Sequence, residues 1–202
     1  HECSSAASDV YKRQELEEFE DELMNQRTMP DSLVSVVESI PASAHPMEVV
    51  RTIISYMGVI EPEKSFDDQL AIAKRLIGVT TTAIVYWYNF SHNGVKVSQD
   101  SGERSVAGHF LKLLRQEDIP ELDKKTLDVS LTLYAEHEFN ASTFTGRVCA
   151  STLSDLHSCL TAAVGSLRGP LHGGANEEAM KMLQQINSCL LYTSDAADEH
   201  SW

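Results

Sequence analysis

Apolar residues recur along most of this chain at the spacing of α-helices, and proline and glycine separate the helical segments. The stretch ELEEFEDELMNQ begins with acidic residues, as helix N-termini favour, and Pro30 ends that segment. In DSLVSVVESI, Asp31 is the expected N-cap and Pro41 the stop. In HPMEVVRTIISYMG, Pro46 is expected at the first helical position and Gly58 at the exit.

The central segment, FDDQLAIAKRLIGVTTTAIVYWYNFSHNG, is apolar on most faces. It therefore predicts a buried helix despite its β-branched run, with Gly94 as C-terminal cap. Further helices are expected in VAGHFLKLL, in SDLHSCLTAAVGSLRG and in ANEEAMKMLQQI. The segment PELDKKTLDVSLTLYAEHEFNASTFTGRVCAS, which begins at Pro120, is expected to form one long helix or a bent pair of helices. No strand pair with a hairpin turn competes, so the expected fold class is all-α.

Charge and composition exclude several function classes. The net charge of -14 comes without a basic patch, which argues against a nucleic-acid partner. No run of about 18 apolar residues occurs, so we expect no membrane span. The N-terminus lacks a basic region followed by an apolar stretch, which indicates no secretory signal. The 4 cysteines lack paired metal spacing, so we expect reduced thiols, no metal and a cytoplasmic location.

The two ends of the chain resemble translated adaptor DNA. Residues 4–14 read SSAASDVYKRQ and residues 189–199 read CLLYTSDAADE. One DNA sequence of the transposase-adaptor type encodes the first peptide on one strand and the second on the other. We therefore expect residues 1–14 and 189–202 to be non-native. Residues 15–188 are interpreted as the biological part, truncated at both ends.

Two histidines carry candidate chemistry. His137 and Asn140 lie three residues apart in AEHEFNAST, which would place them on one helix face beside a bound carboxylate or carbonyl. The alternative is a histidine hydrogen-bonded inside a helical core. His172 lies in GPLHGGANEEAM, where glycines leave the backbone bare and the next helix supplies free N–H groups and a positive dipole end. Such a site stabilises developing negative charge; the alternative is a solvated turn.

Several other residues are weaker candidates for a functional role. Arg51 and Arg147 are candidate anion ligands, with buried ion-pair partners as the alternative. His109 lies on an apolar segment and is expected to be a hydrogen-bonded core residue. Cys149 and Cys159 are expected to be small core residues, because no base is placed to activate them.

GPLHGGANEEAMKML together with LYAEHEFNASTFTGRVCAS resembles the citrate synthase family, because two separated motifs occur in the family's order and spacing. HPMEVVRT, YWYNFSHNG and GHFLKLL resemble its 2-methylcitrate synthase branch. The resemblance covers residues 15–186, roughly half of a full-length member. It implies an all-α homodimer with a large domain and a smaller mobile one. Residues 15–168 would belong to the large domain, and 169–188 to the active-site turn and first helix of the small domain.

The resemblance also implies an activity and its residues. The family condenses an acyl-CoA with oxaloacetate and water, and this branch uses propionyl-CoA to give 2-methylcitrate in propionate catabolism, without a metal or cofactor. His172 matches the histidine that hydrogen-bonds the thioester carbonyl oxygen. His137 matches a histidine that binds oxaloacetate, with Asn140 beside it in the substrate-binding motif. Three further residues match motif positions that would support the substrate pocket: Gly173, Gly174 and Asn176.

Two alternatives remain open: an acetyl-CoA-preferring citrate synthase of the tricarboxylic acid cycle, and a non-catalytic helical interaction domain. The family's second catalytic histidine, catalytic aspartate and carboxylate-binding arginines lie in later motifs that this chain lacks. Removing a proton from the thioester needs a base, and the matching base lies in those later motifs. We therefore expect the full-length parent protein to be active and this 202-residue chain to be inactive. A eukaryotic parent would lie in the mitochondrial matrix. We also expect the apolar face of Phe66–Asn93 to be exposed.

Overall fold

The computed structural model describes residues 13–135 and 138–185, and this part of the chain contains nine α-helices and no β-strand. The expected all-α fold is confirmed. The helices are α1 (Arg13–Asn25), α2 (Asp31–Ser39), α3 (Pro46–Ile60), α4 (Gln69–Asn93), α5 (Val106–Arg115), α6 (Glu121–Tyr134), α7 (Ala141–Ala150), α8 (Leu156–Leu167) and α9 (Gly174–Gln185). A 3-10 turn, Phe66–Asp68, precedes α4.

Helix α4 lies at the centre of the packed body, in contact with α1, α2, α3, α5 and α8. Trp87 is its largest buried side chain, 1% exposed, and its indole N–H donates to the carbonyl of Ile40 at 3.3 Å. The 28-residue segment Phe66–Asn93 is long and apolar enough to cross a membrane by length and composition alone, and 44% of its most apolar window is buried by the protein. Its packing among five other helices is that of a core helix.

Two predicted helix boundaries are wrong. Pro30 is the N-cap of α2, with φ -60° and ψ 147°, and Asp31 is already helical. Gly58 lies inside α3, which continues to Ile60. Gly58 is needed for packing and not for termination, because a Cβ at this position would lie 2.8 Å from Cβ of His157 in α8. The C-terminal end of α4 is as predicted, with Gly94 in the left-handed conformation at φ 68°.

The segment after Pro120 is a bent pair, with α6 ending at Tyr134 and α7 beginning at Ala141. Asn140 is the N-cap of α7, in extended conformation at φ -71° and ψ 145°. The expectation that His137 and Asn140 share a helix face is therefore wrong, because Asn140 precedes its helix and does not belong to α6. His137 itself lies outside the described residues.

Small residues bring α7 and α8 close together. A Cβ on Gly146 would lie 3.6 Å from both Cβ of Ala163 and the carbonyl oxygen of Cys159. Cys159 is buried, and burial raises the pKa of its thiol to about 11. A thiol that stays protonated at neutral pH is a weak nucleophile, which agrees with a packing role.

His109 is a hydrogen-bonded core residue, as predicted. Its Nε2 lies 2.9 Å from the hydroxyl of Thr82 and its Nδ1 lies 2.8 Å from the hydroxyl of Ser101. The side chain is completely buried. Burial lowers the pKa of His109 to about 4, and the charge of Arg27 adds to this lowering while that of Asp100 opposes it.

Exposed apolar side chains are distributed differently from the prediction. On Phe66–Asn93, Phe66, Leu70, Ile77 and Tyr88 are exposed, but Leu76, Val79, Ala83, Val85, Tyr86 and Trp87 are buried. The expected exposure of this segment therefore holds for part of it only. Other large exposed side chains lie on or beside α6, α7 and α9: Leu122, Val129, Leu131, Leu133, Tyr134, Phe139, Phe144, Val148, Met180, Met182 and Leu183.

Candidate active site

A cavity of about 600 Å³ lies where the N-terminus of α3, the start of α7 and the turn between α8 and α9 meet. Four of the residues that the sequence singled out line it. Its lining consists of His45, Met47, Tyr134, Asn140, Ser142, Leu167, Arg168, His172, Gly173, Gly174, Ala175 and Glu177.

The turn that carries His172 is held by its own backbone. The N–H of His172 donates to the carbonyl of Gly169 at 3.0 Å, and the N–H of Gly173 donates to the carbonyl of Leu167 at 3.0 Å. A Cβ on Gly173 would lie 2.3 Å from that carbonyl oxygen, so no larger residue fits here without moving the turn. The glycine is therefore required by the close approach of the turn to the end of α8.

The side chain of His172 is half-buried and points its Nε2 at the start of α7. The backbone N–H of Ser142 donates to Nε2 at 3.3 Å, and the hydroxyl oxygen of Ser142 lies 3.1 Å from the same nitrogen. Ser142 follows the N-cap by two residues, where helix N–H groups have no partner within the helix. The first turn of α7 thus uses one of its unpaired donors to orient the histidine.

Asn140 stabilises this arrangement. Its side-chain oxygen accepts from the N–H of Thr143 at 2.6 Å and from the hydroxyl of Ser142 at 2.8 Å. The first contact caps α7, and the second fixes the side chain that lies beside His172. Asn140 therefore reaches the candidate site through Ser142, in addition to lining the cavity itself.

The contact with Ser142 links the tautomer of His172 to the start of α7. A backbone N–H can only donate, so its bond to Nε2 corresponds to the neutral ring with its proton on Nδ1, whereas the donor and acceptor in the contact between Nε2 and the Ser142 hydroxyl depend on the tautomer. Among the described residues, Nδ1 has no hydrogen-bond acceptor. In this tautomer the Nδ1–H of His172, a residue that lines the cavity, is a donor available to a ligand oxygen.

Helix α9 begins at Gly174, close to the predicted start, and presents its N-terminus to the cavity. Asn176 lies in its first turn, and its side chain is outside the described part of the structure. Glu177, also in the first turn, contacts Nε2 of His45 through its Oε1 at 2.7 Å. Nδ1 of His45 accepts from the N–H of Met47 at 3.1 Å, so the neutral ring donates to Glu177 from Nε2.

The two arginines that the sequence singled out lie elsewhere. Arg51 is exposed on α3 and has no ion-pair partner among the described residues. Arg147 is exposed on α7 and lines a separate depression of about 400 Å³ with Phe66 and Leu160. Neither is a buried ion-pair partner, and neither lines the cavity that contains His172.

Sequence reasoning did not select four polar residues that line the cavity: His45, which had only a weak claim, Ser142, Arg168 and Glu177. Two of them carry a local signal. Ser142 follows the cap residue Asn140 at the start of a helix, where free N–H groups point outward. His45 precedes Pro46, a position typical of N-caps. No local signal indicates that residues 30 or 132 positions apart meet, as Ser142 and His172, and His45 and Glu177, do.

Comparison with known proteins identifies the family of this chain. A family profile described as "Citrate synthase, C-terminal domain" matches residues 7–198. The chain belongs to the citrate synthase family. The resemblance of its two histidine motifs to this family is therefore confirmed.

Two curated citrate synthase relatives illustrate the similarity. The 2-methylcitrate synthase of Shewanella oneidensis is 53% identical over 172 residues, which cover 85% of this chain and 46% of that protein. The citrate synthase of Deinococcus radiodurans is 38% identical over 178 residues, which cover 87% of this chain and 47% of that protein. This chain thus spans about half the length of the curated relatives it matches.

Solved citrate synthase structures share its fold. The structure from Thermotoga maritima has a TM-score of 0.74 at 29% identity, and the match covers 96% of this chain and 51% of that one. A ternary complex of carboxymethyl coenzyme A and oxaloacetate with citrate synthase from Thermoplasma acidophilum has a TM-score of 0.78 at 27% identity. The second match covers 88% of this chain and 47% of that one.

Proposed function

We propose that the complete protein containing this sequence condenses propionyl-CoA with oxaloacetate and water to give 2-methylcitrate and CoA. The observation that carries the proposal is the hydrogen bond from the N–H of Ser142 to Nε2 of His172, a residue that lines the cavity. In the corresponding tautomer Nδ1–H is the donor that the ring offers to a ligand. Membership of the citrate synthase family and the 53% identity to a 2-methylcitrate synthase support it.

In the proposed reaction, a base removes a proton from the carbon next to the thioester carbonyl, and negative charge develops on the carbonyl oxygen. His172 donates from Nδ1 to that oxygen and stabilises the enolate. The N-terminus of α9 lies beside the same cavity and adds a favourable dipole. A donor of this kind, already oriented before reaction, contributes about 3–4 kcal/mol to transition-state stabilisation.

The enolate carbon then attacks the ketone carbon of oxaloacetate, and water hydrolyses the resulting thioester to a carboxylic acid and free CoA thiol. We assign the base and the acid that protonates the ketone oxygen to the part of the relatives that this chain does not match.

The proposal extends to domain organisation: residues 15–168 belong to the large domain, and 169–188 lead into the small one. His137 and Asn140 would bind oxaloacetate.

The acyl donor distinguishes the proposal from its nearest alternative. Propionyl-CoA is proposed because of the similarity to the Shewanella oneidensis protein, whereas similarity to the Deinococcus radiodurans protein favours acetyl-CoA. The two thioesters differ by one methylene group, which an apolar pocket discriminates by about 1–3 kcal/mol. We therefore expect the preference to be a matter of roughly 10- to 200-fold in kcat/KM.

The test is to express the complete reading frame and to measure thiol release with oxaloacetate and each acyl-CoA. His172→Gln should lower kcat about 100- to 1,000-fold, because it removes the oxyanion donor. His92→Gln is the matched control, since His92 is exposed at the end of α4. The 202-residue chain alone should release no thiol. Equal kcat for His172→Gln and the unsubstituted protein would contradict the assigned role.

We propose a homodimer for the complete protein, because α6 and α7 carry several exposed apolar side chains. Leu122, Leu133 and Phe144 are each at least 70% exposed. Large apolar side chains exposed along two helices favour an interface with another copy. Sedimentation analysis of the complete protein should give twice the monomer mass, and Leu133→Glu should lower it. A monomeric protein with unchanged activity would contradict the dimer.

A further inference from the structure

Arg168 lies in the candidate active site but has no part in the chemistry assigned to His172. It is the C-terminal cap residue of α8, four residues before His172, and it lines the same cavity. Among the described residues that line the cavity, it is the sole lysine or arginine. Its side chain is half-buried, so its positive charge lies where access of water is restricted.

Within the described part of the chain, Arg168 has no counter-ion. Its Nε is buried and has no hydrogen-bond acceptor. Glu177, the carboxylate that shares the cavity, is already engaged with His45 at 2.7 Å. A buried guanidinium N–H without an acceptor is unfavourable, so the unpaired Nε indicates that its acceptor comes from outside these residues.

Two other arginines show which hydrogen-bond and ion-pair partners this chain provides for a guanidinium group with a structural role. Arg27 donates to the backbone carbonyls of Glu103, Arg104 and Ser105. Arg75 pairs with both carboxylate oxygens of Glu61, each at 3.0 Å. Arg168 differs from both, because it lines a cavity and its buried Nε has no hydrogen-bond partner among the described residues.

We propose that Arg168 binds an oxyanion group of a substrate. The planar fork of a guanidinium matches the two oxygens of a carboxylate or phosphate, and a charge-assisted pair is stronger when partly shielded from water. While Nδ1–H of His172 binds the reacting carbonyl oxygen, Arg168 holds a charged group in the same cavity. The inference rests on the proposed function, in which oxaloacetate supplies carboxylates and CoA supplies phosphates.

The test uses the 202-residue chain with oxaloacetate and CoA as separate probes. Binding is followed by the ¹⁵N–¹H signal of the Arg168 Nε–H. We expect one of the probes to shift this signal, and Arg168→Gln to weaken binding of that probe about tenfold or more. Arg168→Lys should restore part of the affinity, because it keeps the charge without the fork. Arg115→Gln is the matched control, since Arg115 pairs with Asp123 on the exposed surface.

A response to oxaloacetate alone assigns the carboxylate, and a response to CoA alone assigns the phosphate. Absence of a shift with both probes, or equal affinity in Arg168→Gln, overturns the inference. If Arg168 only stabilises the end of α8, Arg168→Gln lowers the unfolding temperature without changing affinity, which also overturns it.

Turnover by the complete protein separates this inference from the proposed function. Normal condensation by Arg168→Gln, with unchanged KM for both substrates, overturns the role of Arg168 and leaves the proposed reaction intact. Absence of condensation by the unsubstituted protein, combined with Arg168-dependent binding of a probe, overturns the proposed reaction and leaves the anion site intact.

Discussion

The backbone N–H of Ser142 meets Nε2 of His172 at 3.3 Å, although the two residues are 30 positions apart. Ser142 lies in the first turn of α7, and His172 lies in the turn between α8 and α9. The unpaired donor at the start of α7 therefore orients a histidine that lies just before α9. This contact corresponds to the tautomer in which Nδ1 of His172 carries the proton.

The first prediction concerns the tautomer of His172. At a pH where the ring is neutral, its proton should reside on Nδ1, and Ser142→Ala should keep this tautomer because the backbone N–H remains. Imidazole ¹⁵N shifts of the 202-residue chain measure the tautomer directly. Finding the Nε2–H form in the unsubstituted chain would mean that the Ser142 hydroxyl, and not the backbone, is the partner of the ring.

The second prediction concerns the close packing of α3 against α8. Gly58→Ala should lower the free energy of unfolding by about 1–3 kcal/mol, because the new Cβ would lie 2.8 Å from Cβ of His157. Gly165→Ala is the matched control inside α8, where no atom lies within 4 Å of the added Cβ. It should raise stability by up to about 1 kcal/mol through helix propensity. Urea unfolding compares the two, and similar effects would refute the packing argument.

The third prediction concerns pH and His109. Its folded pKa of about 4 lies below the usual unfolded value near 6.5, so below pH 6.5 the unfolded chain binds a proton that the folded chain excludes. The stabilisation is complete above pH 6.5 and is lost as the pH falls toward 4. The loss should be about 1.4 kcal/mol per pH unit and about 3 kcal/mol in total.

Urea unfolding at several pH values measures this dependence. His109→Gln should flatten it between pH 6.5 and 4, because the titrating group is gone. His92→Gln is the control, since His92 is exposed and its removal should leave the dependence in place. An unchanged slope in His109→Gln would assign the pH dependence to other groups.

The fourth prediction concerns the contact between α3 and α9. Glu177 reaches His45 across 132 residues, whereas the neighbouring Glu178 pairs with Lys181 within the same helix. Glu177→Gln weakens the contact with His45, so amide hydrogen exchange in α9 should become faster. Glu178→Gln should have little effect, because exposed pairs three residues apart contribute little. Equal exchange rates in the two variants would show that His45 does not hold α9.

The helices follow from sequence because their signals are local. Apolar spacing, Pro46 at a helix start and Gly94 at a helix end are properties of neighbouring residues, and the structure confirms them. Gly58 was misread as a helix end because its signal is the same as that of a cap. Only its partner His157, about 100 positions away, shows that this glycine serves close packing.

Sequence by itself determined the family and the all-α fold, and it predicts a role for His172, since these depend on motifs contained in short segments. Tertiary structure alone decided that Ser142 orients His172, that Glu177 meets His45, and that Arg168 faces the cavity while Arg51 and Arg147 do not. The physical reason is that periodicity specifies which face of a helix is apolar but not which distant residue packs against its end. Those long-range contacts depend on how the helices are arranged around α4, which is a property of the whole core.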